Sequence, residues 1–282
     1  ATLSSANTNV YDSIVFTGDV MLGRNVETLM NLNGSGYPYS QVNLKNLSNN
    51  PAVVGNFESA IATVHTQTKA NVLRFSVDQI HLPDFAANFT HASLANNHSL
   101  DYGNEGYLNA VTLLEQNSLD VFGHNTLVNS ESISYIETTK GRVAIIGINA
   151  SQHIPTEFEI ESVCEAAKRK SDFQVTYIHW GDEYEPVHSE TQRVLAEVLV
   201  DSCADLIVGH HPHVVQDVDV IKGVLVFYSL GNYIFDQYFS PEVKEGLVLA
   251  LDFTDVPVVK LIPVSSQEVK SAPKVLDSTL AQ

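Results

Sequence analysis

Short apolar runs alternate with helix-like patterns along the first three quarters of the chain. The runs are rich in β-branched residues and end in polar ones, as buried strands do. They are SIVFT (13–17), PAVVGN (51–56), HASLA (91–95), VAIIGI (143–148), FQVTYI (173–178) and ADLIVG (204–209). Helical patterns occupy 82–89, 104–117, 157–170 and 188–203. Strands that alternate with helices predict an α/β fold.

The pattern changes after residue 213. Four further strands are predicted at 214–219, 223–229, 246–253 and 257–263, with turn residues and no helical pattern between them. Such a stretch adds a second, more antiparallel sheet. We expect a flexible lead-in over 1–12, a single domain over 13–264, and a polar, loosely docked tail over 265–282.

Composition narrows the classes of function. The net charge of −18 argues against binding nucleic acid, whose phosphates the protein would repel. No apolar run approaches the ~20 residues of a membrane span. The two cysteines, Cys164 and Cys203, lie in apolar helix-like contexts and are expected to be buried free thiols. The chain begins without Met, which suits either a removed leader or a trimmed sequence.

Residues that can bind metal follow several of the predicted strands. Strand C-terminal edges are where α/β folds place ligands. Asp19, Asn56 with Glu58, Asn97 with His98, His179, and the histidines of GHHPH (209–213) all stand at such positions. Three adjacent imidazoles repel one another when charged, whereas a metal holds them neutral.

Each of these signals has another explanation when taken alone. Gly18-Asp19 and Asn96-Asn97 are also turn dipeptides, and His179 could be a buried core histidine. Together they predict a site for one or two divalent ions, with donors that suit Mn, Zn or Fe. Sequence signatures of serine hydrolases, phosphate-binding loops and dinucleotide-binding folds are absent.

Six motifs in order resemble those of the capsule synthesis protein CapA family, also called poly-γ-glutamate synthesis proteins. They are FTGDVMLGR (16–24), GNFESAI (55–61), LANNHSLDYG (94–103), IHWGDEY (178–184), VGHHPHVVQ (208–216) and YSLGNYIFDQ (228–237). That family is similar in fold to the calcineurin-like metallophosphoesterases. The resemblance implies a four-layer αββα sandwich, with two mixed β-sheets face to face and helices outside.

The resemblance also implies roles for individual residues. The implied metal ligands are Asp19, Glu58, Asn97, His179, His211 and His213. His98 is implied to face the substrate as a proton donor, and Arg24, the only basic side chain in the motifs, to bind an anionic group. Residues implied to contact the substrate or support the ligands are Asn56, His210, Glu183, Asn232 and Asp236. One departure stands out, because Met21 occupies the place where the phosphoesterase motif has a histidine ligand.

The function implied is metal-dependent phosphoester hydrolysis in poly-γ-glutamate or capsule synthesis or export. The alternatives are a non-catalytic assembly protein that binds an anionic polymer, and an amide or ester hydrolase that uses the same centre. The partners implied are an anionic small molecule or polymer and a membrane capsule-synthesis complex. The family resemblance implies a location outside the cytoplasmic membrane, with tethering through an N-terminal segment.

Overall fold

The computed structural model describes residues 9–276 and contains two mixed β-sheets with helices on their outer faces. The helices are α1 (Arg24–Asn33), α2 (Leu82–Asn88), α3 (Gly103–Gln116), α4 (Glu157–Lys168) and α5 (Glu190–Ser202). The strands are β1 (Ser13–Val20), β2 (Pro51–Phe57), β3 (His91–Ser93), β4 (Asp120–Phe122), β5 (Ile133–Thr138), β6 (Gly141–Asn149), β7 (Phe173–His179), β8 (Leu206–His210), β9 (Val218–Ile221), β10 (Val224–Phe227), β11 (Asn232–Ile234), β12 (Glu245–Asp252), β13 (Val258–Ser265) and β14 (Lys274–Val275).

The first sheet has the strand order β14-β13-β12-β1-β2-β3-β4, with β11 also paired to β1. Its β1-to-β4 half is parallel, and β12 to β14 are antiparallel. The second sheet has the order β5-β6-β7-β8-β10-β9, with a parallel centre and an antiparallel pair at each edge. The predicted α/β sandwich of two mixed sheets is therefore confirmed.

Alternating side chains of each strand build the layers. Ile14 and Phe16 of β1 join a cluster with Val175 and Val208 of the second sheet, so this cluster fills the space between the sheets. Val15, between them in sequence, belongs instead to the cluster on the side of α1, α2 and α3. The second sheet packs its outer face against α4 and α5. Successive side chains on a strand point to opposite faces, so the apolar runs supply both layers at once.

Capping explains where two predicted helices begin. Thr156 caps α4 and Ser189 caps α5, each through a reciprocal pair of hydrogen bonds with the residue three positions on, Glu159 and Gln192. Apolar periodicity predicts both helices within a few residues of their observed bounds.

Several details differ from the sequence prediction. The strand expected at 214–219 lies at 218–221, because residues 211–217 form the loop that leaves β8. Helix α1 and the strands β4, β5, β11 and β14 were not predicted, and one 3₁₀ turn, Glu242–Lys244, interrupts the predicted all-strand region. Residues 265–276 are not loosely docked, since β14 pairs with β13 and Ser271 is buried. The lead-in and tail otherwise lie partly outside the described residues.

The cysteine prediction was wrong. Cys164 of α4 and Cys203, directly after α5, form a disulfide with Cα atoms 5.5 Å apart. The packing of α4 beside α5 on one sheet face brings the two thiols together across 39 residues of sequence. A long-range contact of this kind leaves no mark in the local sequence around either cysteine.

Replacing both cysteines with serine is expected to lower the free energy of unfolding by about 2–4 kcal/mol, because the cross-link restricts the unfolded chain. Urea denaturation without reductant measures the loss. Wild-type protein treated with dithiothreitol is the control, and it should unfold at the midpoint of the double variant. A double variant as stable as the oxidised wild type would show that the bridge contributes nothing.

No helix within residues 9–276 combines the length and the apolar character needed to cross a membrane.

Candidate metal centre

Two rows of polar residues face each other at one end of the sandwich. In the first sheet, Asp19 at the end of β1 is in register with Asn56 of β2 on one side and with Asn232 of β11 on the other. In the second sheet, His179 of β7 is in register with His210 of β8. Because the strands are parallel here, the polar strand ends that the sequence predicted as ligands meet at one edge.

Two glycines, Gly18 and Gly209, allow strands at this edge to lie very close to neighbouring backbone. A Cβ on Gly18 would lie 2.0 Å from the carbonyl oxygen of Gly231, so β1 can run beside the Leu230–Gly231 segment only without a side chain there. Gly18-Asp19 is thus part of a strand and not the turn that the dipeptide alone could indicate. Gly209 likewise lets β8 approach the carbonyl of Tyr228, directly before His210.

The structure gathers Asp19, Glu58 and His179 into one group of metal donors. One ligand atom from each of the three lies within 4.8 Å of the others, and all three residues are buried. Asn97 adjoins this group, because its Oδ1 lies 2.9 Å from His179 Nε2. Asn56 orients the group by donating from Nδ2 to Asp19 Oδ1 over 2.8 Å.

A second group consists of Glu183, His211 and His213, whose ligand atoms also lie within 4.8 Å of one another. His213 Nδ1 is 3.2 Å from Asp19 Oδ2, and the backbone N–H of His211 donates to the same oxygen over 3.3 Å. The two groups therefore adjoin at Asp19. Asn232 supports this side, with Oδ1 3.0 Å from His213 Nδ1.

Strained backbone is concentrated here. Arg24, Tyr184, His211 and His213 all have positive φ although none is glycine, at 51°, 67°, 97° and 58°. Such conformations cost about 1–3 kcal/mol each and persist where the surrounding structure holds them. Four of the eight non-glycine residues with positive φ among the described residues thus lie in loops at this edge.

Charges compete within the buried cluster. Burial alone would raise the pKa of Asp19, but hydrogen bonds and charge from His210 and His213 outweigh it and hold the pKa well below its usual value. Burial and the neighbouring charge of Asp19 raise the pKa of Glu58 well above its usual value. Burial alone would lower the pKa of His213, yet the carboxylates of Glu58 and Asp19 raise it to about 9.

The pKa values of His179 and His211 are lowered, in contrast to that of His213. Burial, together with His211, lowers the pKa of His179, and burial with His213 lowers that of His211 to about 4. Both rings are therefore neutral at pH 7, the form in which histidine binds metal.

Some donor atoms of the two groups have no hydrogen-bond partner in the part of the chain that the structure describes. Both carboxylate oxygens of Glu58 are buried without a hydrogen-bond partner among the described residues, as is His211 Nδ1. Buried polar atoms normally have partners, and a buried carboxylate without one is costly. A donor set of carboxylate and imidazole fits a divalent metal ion.

His98 stands beside the donors. Its Nε2 is 3.8 Å from Glu58 Oε1, and its Nδ1 is 2.8 Å from Asp101 Oδ2. The imidazole stacks on the ring of Phe75, with centroids 3.7 Å apart. Asp101 also accepts the backbone N–H of Phe75 over 2.7 Å, which fixes this loop against the histidine.

Arg24 is not the free cation that the sequence suggested. Its guanidinium forms an ion pair with Asp236 and lies 4.4 Å from the centre of the Phe75 ring, with the residue only 6% exposed. Asp236 also accepts the backbone N–H of Asn25 over 3.2 Å. The positive charge is therefore already compensated, and the predicted anion-binding role of Arg24 stays a prediction.

Sequence reasoning missed two residues that contact His98. Asp101 lies inside the motif LANNHSLDYG, three residues after the histidine, so its position offered a signal. Phe75 lies in a loop outside all six motifs and offered none. His210, predicted to support the ligands, is buried against Tyr177 with ring centroids 4.1 Å apart and with Nδ1 3.5 Å from Asp19 Oδ1.

Comparisons with known proteins show that this chain is similar to bacterial capsule synthesis proteins. Residues 13–237 match the family described as bacterial capsule synthesis protein PGA_cap. The capsule biosynthesis protein CapA of Bacillus anthracis is 30% identical, over 95% of this chain and 70% of its own length. The PGA biosynthesis protein CapA of Bacillus subtilis (strain 168) is also 30% identical, over 94% of this chain and 74% of its own length.

A solved structure shares the fold. A hypothetical protein from Thermus thermophilus superposes with a TM-score of 0.55 at 17% identity, over 94% of this chain and 98% of the other. At that identity the likeness shows the fold alone.

Proposed function

The chain belongs to the bacterial capsule synthesis protein family PGA_cap, and from this premise we propose that it is a metal-dependent phosphoester hydrolase of capsule or poly-γ-glutamate synthesis. The observation that carries the proposal is the buried carboxylate of Glu58, which has no hydrogen-bond partner among the described residues and is grouped with Asp19 and His179. The names of the two CapA relatives support the assignment to capsule synthesis.

Most side chains of the site would hold the metal or orient its ligands. Asp19, Glu58, Asn97, His179, His211 and His213 would hold one or two divalent ions of the Mn, Zn or Fe class. When bound, such an ion supplies Lewis acidity, which stabilises charge on a phosphoryl oxygen and eases deprotonation of water. Asn56 and Asn232 orient the donors Asp19 and His213 through the hydrogen bonds described above.

His98 is proposed as the proton donor to the leaving oxygen. Asp101 accepts a hydrogen from Nδ1, which leaves Nε2 directed toward the donor group at Glu58. The ring also stacks on Phe75, which helps to fix its orientation. A histidine held in this way can carry a proton to a substrate atom beside the centre.

We place the protein outside the cytoplasmic membrane. The disulfide between Cys164 and Cys203 supports this location, because such bridges persist in oxidising compartments. The capsule biosynthesis relatives support it as well.

A second candidate function is binding of an anionic polymer without turnover. The ion pair between Arg24 and Asp236 speaks against turnover, because the one Lys or Arg in the motifs is not available to stabilise the charge of a transferring phosphoryl group. A net charge of −18 repels an anionic polymer as well as an anionic ester. On this alternative the metal itself supplies the positive charge for the polymer.

Hydrolysis of aryl phosphate monoesters and diesters distinguishes the two candidates. Protein stripped with a chelator should be inactive, and addition of Mn²⁺ or Zn²⁺ should restore turnover. Asp19→Asn, which removes one donor charge, serves as the inactive control. Metal-loaded protein that hydrolyses neither class of ester would contradict the hydrolase and favour polymer binding.

A further inference from the structure

The segment that follows β7 is tied to the loop that carries His211 and His213. The backbone N–H of Tyr184 donates to the carbonyl of Pro212 over 2.8 Å, which places Glu183 beside the two histidines. Tyr184, His211 and His213 all have positive φ, so both segments adopt strained conformations where they meet.

A chain of side-chain hydrogen bonds runs from His213 to Tyr184, the residue next to Glu183. His213 Nδ1 is 3.0 Å from Asn232 Oδ1, and Asn232 Nδ2 donates to Gln237 Oε1 over 3.0 Å. Gln237 Nε2 donates to Tyr184 Oη over 3.0 Å. The tyrosine hydroxyl, having accepted that bond, has its own hydrogen available for the Glu183 carboxylate. Burial raises the pKa of Tyr184, and the charge and hydrogen bond of Glu183 raise it further.

The motif FTGDVMLGR (16–24) lacks one metal ligand that the phosphoesterase motif has. Met21 stands where the phosphoesterase motif has a histidine, and its sulfur accepts the backbone N–H of Gly23 over 3.1 Å. Asp19, from the same strand, contacts His213 and so adjoins the Glu183 group. Glu183 is the further carboxylate that the fold brings to this side of the centre.

We propose that Glu183 is a metal ligand that acts with His211 and His213, and that Tyr184 and Gln237 are positioning residues that hold its carboxylate toward them. This inference rests on the proposed function, since both require a metal ion at the centre. Hydrogen-bond partners behind metal ligands typically contribute about 10- to 100-fold to metal affinity. Glu183 is exposed, as the acidic side chains around it are, but on this proposal Glu183 binds metal and they do not.

Titration calorimetry of chelator-stripped protein with Mn²⁺ tests the proposal. Glu183→Gln keeps the shape of the side chain and removes its charge, and it should weaken one binding event at least about 10-fold or abolish it. Tyr184→Phe removes only the hydroxyl and should weaken the same event by a smaller factor. Glu185→Gln, an exposed acid two residues further on, is the matched control and should bind as the wild type does.

Thermal denaturation of the metal-free variants separates ligation from folding, because a ligand or positioning role predicts an unchanged midpoint without metal. Wild-type protein that binds Mn²⁺ while Glu183→Gln binds it identically would overturn the role of Glu183 and leave the proposed function standing. Equal weakening by Glu185→Gln would overturn it too, since only general acidity would then matter. Wild-type protein that binds no Mn²⁺ or Zn²⁺ would overturn the proposed function, and this inference with it.

Discussion

Replacing Glu58 with glutamine is expected to abolish tight binding of a divalent ion and, in the same protein, to stabilise the metal-free fold. Both oxygens of the carboxylate are buried without a partner in the part of the chain that the structure describes. Removing this donor should weaken metal binding by at least about 100-fold, because a charged ligand contributes more than the roughly 10- to 100-fold of the groups behind it. The amide carries no charge, so it escapes the repulsion from Asp19 and the cost of burying an ion.

The gain in stability should depend on pH in a defined direction. Burial and Asp19 raise the pKa of Glu58 above the ordinary value of 4.5, so the folded protein holds a proton that the unfolded chain releases. That difference destabilises the metal-free wild type as the pH rises above about 4.5. The advantage of Glu58→Gln should therefore be about 1–3 kcal/mol at pH 7 and should vanish near pH 4.

Thermal and urea denaturation in the presence of a chelator measure the stability, and calorimetry with Mn²⁺ measures the binding. Glu27→Gln is the control for metal binding, because Glu27 is also a buried glutamate but accepts the backbone N–H of Asp78 over 2.9 Å and belongs to neither donor group. That variant should keep its metal affinity. A metal-free Glu58→Gln protein that is less stable than the wild type at pH 7 would contradict the assignment of Glu58 as a metal donor.

The strand ends were predictable because backbone geometry alone determines where they meet. Asp19, Glu58, His179 and His211 each follow or end an apolar run, and parallel strands bring their C-terminal ends to one edge. No knowledge of side-chain packing is needed for that step. The layered α/β fold was predictable for the same reason, since it follows from alternating apolar patterns.

Other features could not be predicted because they depend on contacts between distant segments. Arg24 and Asp236 are 212 residues apart, and the sequence around Arg24 does not reveal that its charge is compensated. The Cys164–Cys203 bridge depends in the same way on how two helices pack. Helix α1 was missed although Val26, Leu29 and Met30 recur at i, i+3 and i+4, because three positions make only a short helical pattern.

His98→Ala is expected to lower kcat by about 100- to 10,000-fold on an aryl phosphate while metal binding is kept, because the residue moves a proton and belongs to neither donor group. Its Nε2 approaches Glu58 no closer than 3.8 Å, and its other nitrogen is held by Asp101. Truncation removes the proton donor and leaves Asp19, Glu58 and His179 in place. Steady-state kinetics on metal-saturated protein, with metal content measured on the same sample, check both parts.

Two further variants determine whether His98 acts as the proton donor. Asp101→Asn should lower kcat less than His98→Ala does and leave KM unchanged, because the ring remains but loses the carboxylate that holds its Nδ1. His153→Ala, which removes an exposed histidine, should leave both constants as in the wild type. A His98→Ala protein that loses its metal would instead place His98 among the ligands. One that keeps full activity would assign proton donation to another group, and the hydrogen bond to Asp101 would then serve only to fix the loop at Phe75.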